Sequence, residues 1–372
     1  MARAPVSQDI EYLPEADRLE GFPHPRETVN LFGHQDAERE LAAALEQGKL
    51  HHGWLITGRE GIGKATLAYH FARYVLAEPE ERSPASDGLR VKPQSIAARQ
   101  VTALSHPGLL LIRRAYDTKD KRFPATIPID EVRKLKGFLA HRSAGGWRVV
   151  IVDQADELNV NAANAILKSL EEPPEKTVFL LISSEPGRLL TTIRSRCRRL
   201  DLQPLGNDPL RAAVCQALAA AGRSEPEESQ WEQLLAIGQG SVRRVLGLEG
   251  GKGLELAAAV ERLLSRLPSV AWGGVHDLSD TLAGAAAEQS FNLFFDLLLD
   301  HMARLIRVHA TRQGSDNDIA LSSRLIGDGQ LARWAGLWET ITRERAEVLS
   351  LNLDRKALIL DTVLRIEETA RR

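Results

Sequence analysis

The sequence predicts an α/β domain with a parallel sheet and a phosphate-binding loop, followed by two helical domains. Short apolar runs alternate with amphipathic stretches between residues 31 and 203, the pattern of a parallel sheet with helices on both faces. After residue 204 strand-like runs nearly vanish and helical spacing dominates to the end of the chain. A chain of 372 residues is too long for one compact core, so two or three domains are expected.

The apolar runs predict strands at residues 54–57, 109–112, 149–152, 178–182 and 199–202. Helical spacing predicts helices at residues 36–50, 66–76, 130–140 and 161–171, and two prolines end the last of these. We expect an acidic, proline-bearing loop at residues 78–87 and a charged turn at residues 117–122.

These shifts in pattern suggest the domain boundaries. Residues 1–30 carry four prolines and are expected to form an irregular N-terminal arm. We assign residues 31–203 to a nucleotide-binding-like α/β domain, residues 204–270 to a small helical lid and residues 271–372 to a terminal helical domain.

Composition and charge narrow the class of protein. The formal net charge of −2 gives no global attraction to nucleic acid. The two cysteines, Cys197 and Cys215, are too few for a disulfide framework, which fits a reducing compartment. The sequence contains no apolar stretch of membrane-spanning length, and residues 1–25 lack the apolar core of a signal peptide. We therefore expect a cytoplasmic protein with no membrane partner.

Residues 58–64 read GREGIGK, and they follow a predicted strand and open a predicted helix. This context is typical of a phosphate-binding loop. Gly58, Gly61 and Gly63 would let backbone N–H groups curl around phosphate oxygens, and Lys64 would contact the outer phosphates. The alternative is a glycine-rich turn with a solvated lysine.

The loop lacks one magnesium ligand. The residue after the lysine is normally Ser or Thr, whose hydroxyl ligates Mg²⁺, and here it is Ala65. Thr66 comes one position late, and because a helix turns about 100° per residue its hydroxyl should point elsewhere. We predict that the magnesium site is weakened, and we assign no residue of this chain as a metal ligand.

An acidic residue ends the third predicted strand. Asp153 would lie beside the phosphate loop, where such a carboxylate can help to hold Mg²⁺; the alternative is an acidic turn residue. Many enzymes of this class carry next a glutamate that orients the attacking water, and here that position is Gln154. A neutral amide cannot accept a proton as a base does. The loss of the hydroxyl at Ala65 and of the glutamate at Gln154 predicts a domain that keeps the fold but does not hydrolyse ATP.

Several blocks of sequence resemble the clamp-loader ATPases of the AAA+ class. They read DQADELN at residues 153–159, NAILKSLEEPP at residues 164–174 and SRC at residues 195–197. Two earlier blocks, LFGHQ at residues 31–35 and HHGWLITG at residues 51–58, look like the same family. The resemblance covers about residues 31–248 and implies an AAA+ domain, a helical lid and a C-terminal helical collar.

The resemblance also implies a function and partners. Within this class, Gln154 and the chain length favour the delta-prime type of subunit over the longer, ATP-hydrolysing tau/gamma type. Such a subunit belongs to the DNA polymerase III holoenzyme and helps tau/gamma and delta subunits to load the sliding clamp onto primed DNA. The resemblance further implies that the chain has no independent catalytic activity and requires no cofactor. ATP or ADP would at most be bound, without being hydrolysed.

The resemblance implies roles for two arginines. Arg196, in the SRC block, would act as an arginine finger that reaches across a subunit interface to the γ-phosphate of a neighbour. Arg243, in a segment like the sensor-2 part of a lid, would point at the domain's own nucleotide site. The alternatives are a solvated basic edge around Arg196 and an exposed helix arginine at Arg243.

Two further expectations concern zinc and assembly. The family often has a four-cysteine zinc module after its first helix, but residues 77–107 contain no cysteine, so we predict no zinc. Apolar residues at helical spacing in residues 291–306 predict a core helix. The resemblance implies that part of this stripe joins a collar through which subunits oligomerise.

Two other functions remain open on the sequence. One is an active, DNA-dependent AAA+ ATPase, such as a helicase loader or a branch-migration motor, against which Ala65 and Gln154 count. The other is a scaffold with no nucleotide role, against which Lys64 and Arg196 count.

Overall fold

The computed structural model describes residues 13–92, 94–120, 122–140, 146–248, 252–284, 287–327, 329–351 and 353–371. The chain forms two compact units, Met1–Leu246 and Gly247–Arg372. The helix at Lys252–Arg266, which the sequence assigns to the lid, belongs to the second unit. The finer division at residues 30, 203 and 270 stays a prediction.

A parallel sheet forms the centre of the first unit. Its strands are β1 (Gly53–Thr57), β2 (Leu109–Ile112), β3 (Arg148–Val152), β4 (Thr177–Ser183) and β5 (Arg198–Asp201). Their order is β2-β3-β4-β1-β5, and each neighbouring pair is parallel. Each predicted strand is confirmed to within one residue at either end. The sheet centre is apolar on both faces, as expected where helices cover both.

The first unit contains helices that cover both faces of this sheet and three further helices after β5. They are α1 (Gln35–Glu46), α2 (Lys64–Leu76), α3 (Ile96–Thr102), α4 (Ile129–Ala140), α5 (Val160–Glu171), α6 (Thr191–Arg194), α7 (Asn207–Ala220), α8 (Glu228–Gly238) and α9 (Val242–Leu248). One hydrophobic cluster joins the sheet to α1 and α2, and a second joins its other face to α4 and α5. The predicted parallel α/β architecture is therefore confirmed.

The chain before α1 packs against the α/β domain. Residues 13–30 are irregular apart from one 3-10 turn at Pro25–Glu27, yet Phe22 and His24 are buried. The helix α2 holds the backbone of this segment, because Arg73 donates hydrogen bonds to the carbonyls of Arg26 and Thr28. The expected arm is thus irregular in conformation and fixed in position.

The cysteine-free segment after α2 contains two 3-10 turns, Pro79–Glu81 and Ala85–Asp87, within the predicted loop. Arg82 fastens it to the end of α2, because its Nε donates to Ala77 O (3.0 Å) and its Nη2 to Val75 O (2.9 Å). No group of three or more His, Cys, Asp or Glu side chains placed to hold a metal occurs among the described residues. The absence of zinc stays a prediction.

The second unit consists of helices throughout its described residues. They are α10 (Lys252–Arg266), α11 (Trp272–Ala283), α12 (Glu288–Thr311), α13 (Asp316–Leu325), α14 (Leu331–Leu351) and α15 (Arg355–Arg371). The helix α12 packs against α10, α11, α13 and α14. Its stripe residues Phe294, Leu298, Met302 and Leu305 are fully buried, so the predicted core helix is confirmed. In the described part of the chain, no helix is long and apolar enough to cross a membrane.

Candidate functional site

A cleft of about 220 Å³ lies at the carboxyl edge of the sheet. Its walls are the loop between β1 and α2, the end of β3, part of residues 13–32, and the facing sides of α7 and α9. This is the edge at which open parallel sheets bind ligands, because loops and helix N-termini converge there. The structure therefore brings the loop residues 61–66, Asp153, Gln154 and Arg243 to one cleft, whereas Gly58 is not part of its lining.

The glycine turn has the backbone that the sequence predicts. Gly58, Gly61 and Gly63 have φ angles of 142°, 75° and 106°, which side-chain-bearing residues rarely adopt. At Gly61 an added Cβ would lie 2.6 Å from the Cβ of Arg243, so the close approach of α9 also requires glycine there. The strand–loop–helix context is confirmed, and phosphate binding by these residues stays a prediction.

Lys64 is buried, in contrast to a solvated turn lysine. Its Nζ donates to Gly58 O (2.7 Å), to Arg59 O (2.6 Å) and to Ser184 Oγ (2.9 Å). Burial lowers the pKa of Lys64 to about 8, against the opposing charges of Glu60 and Asp153. Sequence reasoning missed Ser184, although its position directly after β4 places it at the carboxyl edge of the sheet.

Asp153 contacts a second carboxyl group, that of Asp17 in the N-terminal arm. Burial, and then the charge of Asp17, raise the pKa of Asp153 well above its usual range. Its Oδ2 receives no hydrogen bond from the residues that the structure describes. Both effects favour the protonated form of Asp153, whereas the charge of Arg113 favours the ionised form of Asp17.

Asp17 and Glu15 form a buried ion-pair cluster. Arg113 Nη1 donates to Asp17 Oδ1, and His24 Nε2 lies 2.7 Å from Asp17 Oδ2. Glu15 accepts from Arg26 Nη1 (2.7 Å) and from Arg113 Nη2 (2.5 Å). Burial would raise the pKa of Glu15, but hydrogen bonds from Arg26 and Arg113 lower it to about 2. This cluster was missed from the sequence, in which its members are up to 98 positions apart.

The residues of this cleft do not fit a Mg²⁺ site. Ala65 offers no hydroxyl, and the raised pKa of Asp153 beside Asp17 makes its carboxyl a poorer ligand for a divalent cation. Gln154 stands in the left-handed conformation (φ 61°) and carries a neutral amide into the same cleft. We therefore derive no catalytic step through a metal at this site.

Arg243 lies beside the phosphate loop. Its Nε is 3.2 Å from Glu60 Oε1, and the neighbouring Val242 N–H donates to Gly61 O (2.9 Å). The helix α9 is thus joined to the loop by backbone and side chain. A contact from Arg243 to nucleotide stays a prediction.

Arg196 lies at the other edge of the sheet. Arg196 comes just before β5 in the chain, and Glu171 comes before β4. The Nη2 of Arg196 is 2.8 Å from Oε1 of Glu171. Since these are the amino ends of parallel strands, Arg196 is separated from its own cleft by the length of the sheet. Its side chain is 36% exposed, and its Nη1 donates to Thr192 O (3.0 Å).

Known proteins resemble this chain over most of its length. A family model described as DNA polymerase III, delta subunit, matches residues 33–206. The delta′ subunit of DNA polymerase III from Pseudomonas aeruginosa is 34% identical over 325 residues, which are 84% of this chain and 90% of that protein. The chain belongs to the family of DNA polymerase III delta′ subunits. The Escherichia coli delta′ subunit is 30% identical over 88% of this chain and 92% of its own length.

The match to a tau subunit is shorter than the matches to delta′ subunits. The tau subunit of Bacillus subtilis is 28% identical over 60% of this chain and 37% of that protein. Among solved structures, a gamma subunit-related protein from Thermotoga maritima has a TM-score of 0.44 and 20% identity, covering 91% of this chain and all of that one. The resemblance noted in the sequence blocks is confirmed as delta′ membership.

Proposed function

We propose that this chain acts in the cytoplasm as the delta′ subunit of a DNA polymerase III clamp loader. It would join tau/gamma and delta subunits and help to load the sliding clamp onto primed DNA, with no cofactor required. The observation that carries this proposal is 34% identity to a delta′ subunit along 90% of that subunit's length. A match of that extent includes both compact units of the chain.

Its own cleft would not hydrolyse ATP. Hydrolysis at a phosphate loop needs a bound metal and, in many enzymes of this class, a glutamate that orients the attacking water. Ala65 removes one metal ligand, Gln154 replaces the usual carboxylate, and burial raises the pKa of Asp153, which weakens it as a metal ligand. This argues against an active helicase loader or branch-migration ATPase on the same fold.

Arg196 would serve the nucleotide site of a neighbouring subunit. Its position at the amino edge of the sheet keeps it from the chain's own cleft, and its half-exposed guanidinium can face a partner. Guanidinium is always charged and forks onto phosphate oxygens, which suits a γ-phosphate contact. A finger supplied in trans can contribute about 10³-fold or more to turnover at the site that it serves.

The test is clamp-loading activity in the reconstituted complex. Arg196→Ala should fold and assemble normally but lower DNA-stimulated ATPase and clamp loading, and Arg196→Lys should rescue poorly because ammonium lacks the planar fork. The matched control is Arg194→Ala, an exposed arginine two residues away. Arg198 is a poorer control because its guanidinium carbon lies 4.8 Å from the Trp54 ring centroid. Wild-type loading by the Arg196→Ala complex would overturn the finger assignment.

A second assay distinguishes a cleft that does not hydrolyse ATP from one that does. The isolated chain should release no phosphate from ATP above background, with or without primed DNA. Turnover that disappears in Lys64→Ala would mean that the chain is an ATPase in its own right, and the degenerate-site argument would be wrong.

A further inference from the structure

The chain that leads into β1 lies at the same edge of the sheet as Arg196, because β1 and β5 are parallel and both begin there. It belongs to the block HHGWLITG, of which only the loop end lines the cleft. We propose that residues 51–54, the seat, position Arg196 for a phosphate on the neighbouring subunit. This rests on the proposed function, in which Arg196 is a finger supplied in trans.

Gly53 contacts the backbone of the loop that carries Arg196. A Cβ added at Gly53 would lie 3.2 Å from Cys197 Sγ and 3.4 Å from Arg196 O, closer than the optimum of about 3.5–4.0 Å for carbon contacts. Burial raises the pKa of the Cys197 thiol to about 11, so the thiol packs as a small apolar group. Gly53 does not have a positive φ, so the close contact is what favours glycine here.

The two histidines of the seat hold the end of α5. The rings of His51 and His52 are stacked, with 4.3 Å between their centroids, and the ring of His52 hydrogen-bonds to the backbone of Leu170. The next residue is Glu171, whose Oε1 lies 2.8 Å from Arg196 Nη2. The seat therefore supports the carboxylate that pairs with the guanidinium as well as the loop that carries it.

Trp54 holds the chain on the other side of Arg196. It pairs with Arg198 in the β1–β5 ladder, and the guanidinium carbon of Arg198 lies 4.8 Å from the Trp54 ring centroid. Arg198 Nη2 also donates to Glu40 Oε1 (2.6 Å). Trp54 is fully buried, and close-packed side chains in a core have little room to move. Consecutive residues of one strand thus fix the surroundings of Arg196 from three sides.

Position matters for a finger because its guanidinium must meet a phosphate on another chain. A misplacement of 1 Å in an active site can cost about 10²-fold in rate. A seat that only stabilised the fold would instead affect melting and assembly. The two roles are therefore separable by measuring turnover in complexes that assemble normally.

The experiment uses Gly53→Ala in the reconstituted complex. The added methyl group should move the finger loop by a few tenths of an ångström and lower the DNA-stimulated kcat for ATP by about three- to tenfold. The KM for ATP should stay within about twofold, because a finger acts on the transition state. Adding Cys197→Ala should restore most of the rate, since it removes the closest contact. Gly187→Ala is the control, because a Cβ there meets no atom within 4 Å.

A second variant tests the seat without adding bulk at residue 53. His51 Nδ1 hydrogen-bonds to the backbone of Gly53 (3.2 Å to N), and His106 Nδ1 accepts the Gly108 N–H (3.0 Å) at the start of β2. β4 and β3 separate β1 from β2, so His106→Phe is a matched control that loses the same kind of contact far from the finger. His51→Phe should lower kcat about threefold or more, and His106→Phe should leave kcat unchanged.

Both seat variants should cause no further loss in a complex that already carries Arg196→Ala. Wild-type kcat in both, losses that add to that of Arg196→Ala, or a failure to assemble in place of a lower kcat would each overturn the seat. If Arg196→Ala lowers turnover and the seat variants do not, only the seat is wrong. If Arg196→Ala itself leaves turnover unchanged, the trans finger is wrong and the seat with it.

Discussion

Glu171 at the end of α5 forms an ion pair with Arg196, with 2.8 Å between Glu171 Oε1 and Arg196 Nη2. A second contact, from Arg196 Nη1 to Thr192 O (3.0 Å), fixes the plane of the guanidinium. Its Nη1 also donates to Ser195 Oγ (3.5 Å), and the N–H groups not used within the chain remain for a phosphate on a partner. The carboxylate thus orients an arginine that the proposed mechanism directs outward.

Glu171→Gln should therefore weaken the finger without harming the fold. Both side chains are more than one-third exposed, so loss of the pair should change the free energy of unfolding by about 0–1 kcal/mol. DNA-stimulated ATPase of the complex should fall severalfold, and the double variant with Arg196→Ala should be no worse than Arg196→Ala. The neighbouring Glu172→Gln is the control. Additive losses in the double variant would show that Glu171 acts separately from Arg196.

A pH-dependent contribution to stability is expected from His70. Burial, and then the charge of Arg73, lower the pKa of His70 to about 4 from an ordinary 6.5. Between those values the unfolded chain binds a proton at this position that the folded chain does not, so stability is lost as the pH falls from 6.5 towards 4. From pH 7 to pH 5 the loss should be about 2 kcal/mol.

Urea unfolding at those two pH values, on wild type and His70→Gln, checks this expectation. Glutamine retains an N–H that can reach Thr28 O and does not titrate, so the variant should lose about 2 kcal/mol less on acidification. Since all other groups are common to both proteins, the difference isolates His70. Equal losses in the two proteins would contradict the buried, neutral histidine.

The sheet and the phosphate loop could be predicted because their signals are local. A run such as residues 149–152 must be buried, and a glycine turn between a strand and a helix has few other uses. The arm could not be predicted, because its stability comes from pairs such as Glu15 with Arg113, which are 98 positions apart. A stretch with several prolines and charges looks solvent-exposed until the partners of those charges are known.

The residue types of the candidate site could be predicted from the sequence, but the pKa of Asp153 and the position of Arg196 could not. Spacing identified Lys64 and Asp153, but the protonation of Asp153 depends on Asp17, whose position only the folded chain provides. Arg196 was found from the SRC block, whereas its separation from the cleft follows from the direction of β5.

Arg82 should stabilise the segment that lacks the cysteines of a zinc module. It caps α2 through the carbonyls of Val75 and Ala77, and its guanidinium carbon lies 5.6 Å from the Tyr74 ring centroid. Arg82→Ala should lower the free energy of unfolding by about 1–3 kcal/mol, measured by urea unfolding. The exposed Arg39→Ala should change it by less than about 0.5 kcal/mol. A neutral Arg82→Ala would mean that the segment is held by other contacts.

Zinc should be absent from the purified protein. The segment at residues 77–107 has no cysteine, and four ligands are needed for a structural site. Elemental analysis should find far less than one zinc per chain, and EDTA should leave the melting temperature unchanged. About one zinc per chain would contradict the expectation.

The helical second unit should carry assembly. It begins at Gly247, so a chain ended after Leu248 retains α9 and the whole α/β unit. That truncated chain should unfold cooperatively but fail to co-elute with tau/gamma and delta subunits, because it lacks helices that expose Leu351 and Leu364 (65% and 42%). Undiminished co-elution of a folded truncation would refute a collar role for this unit.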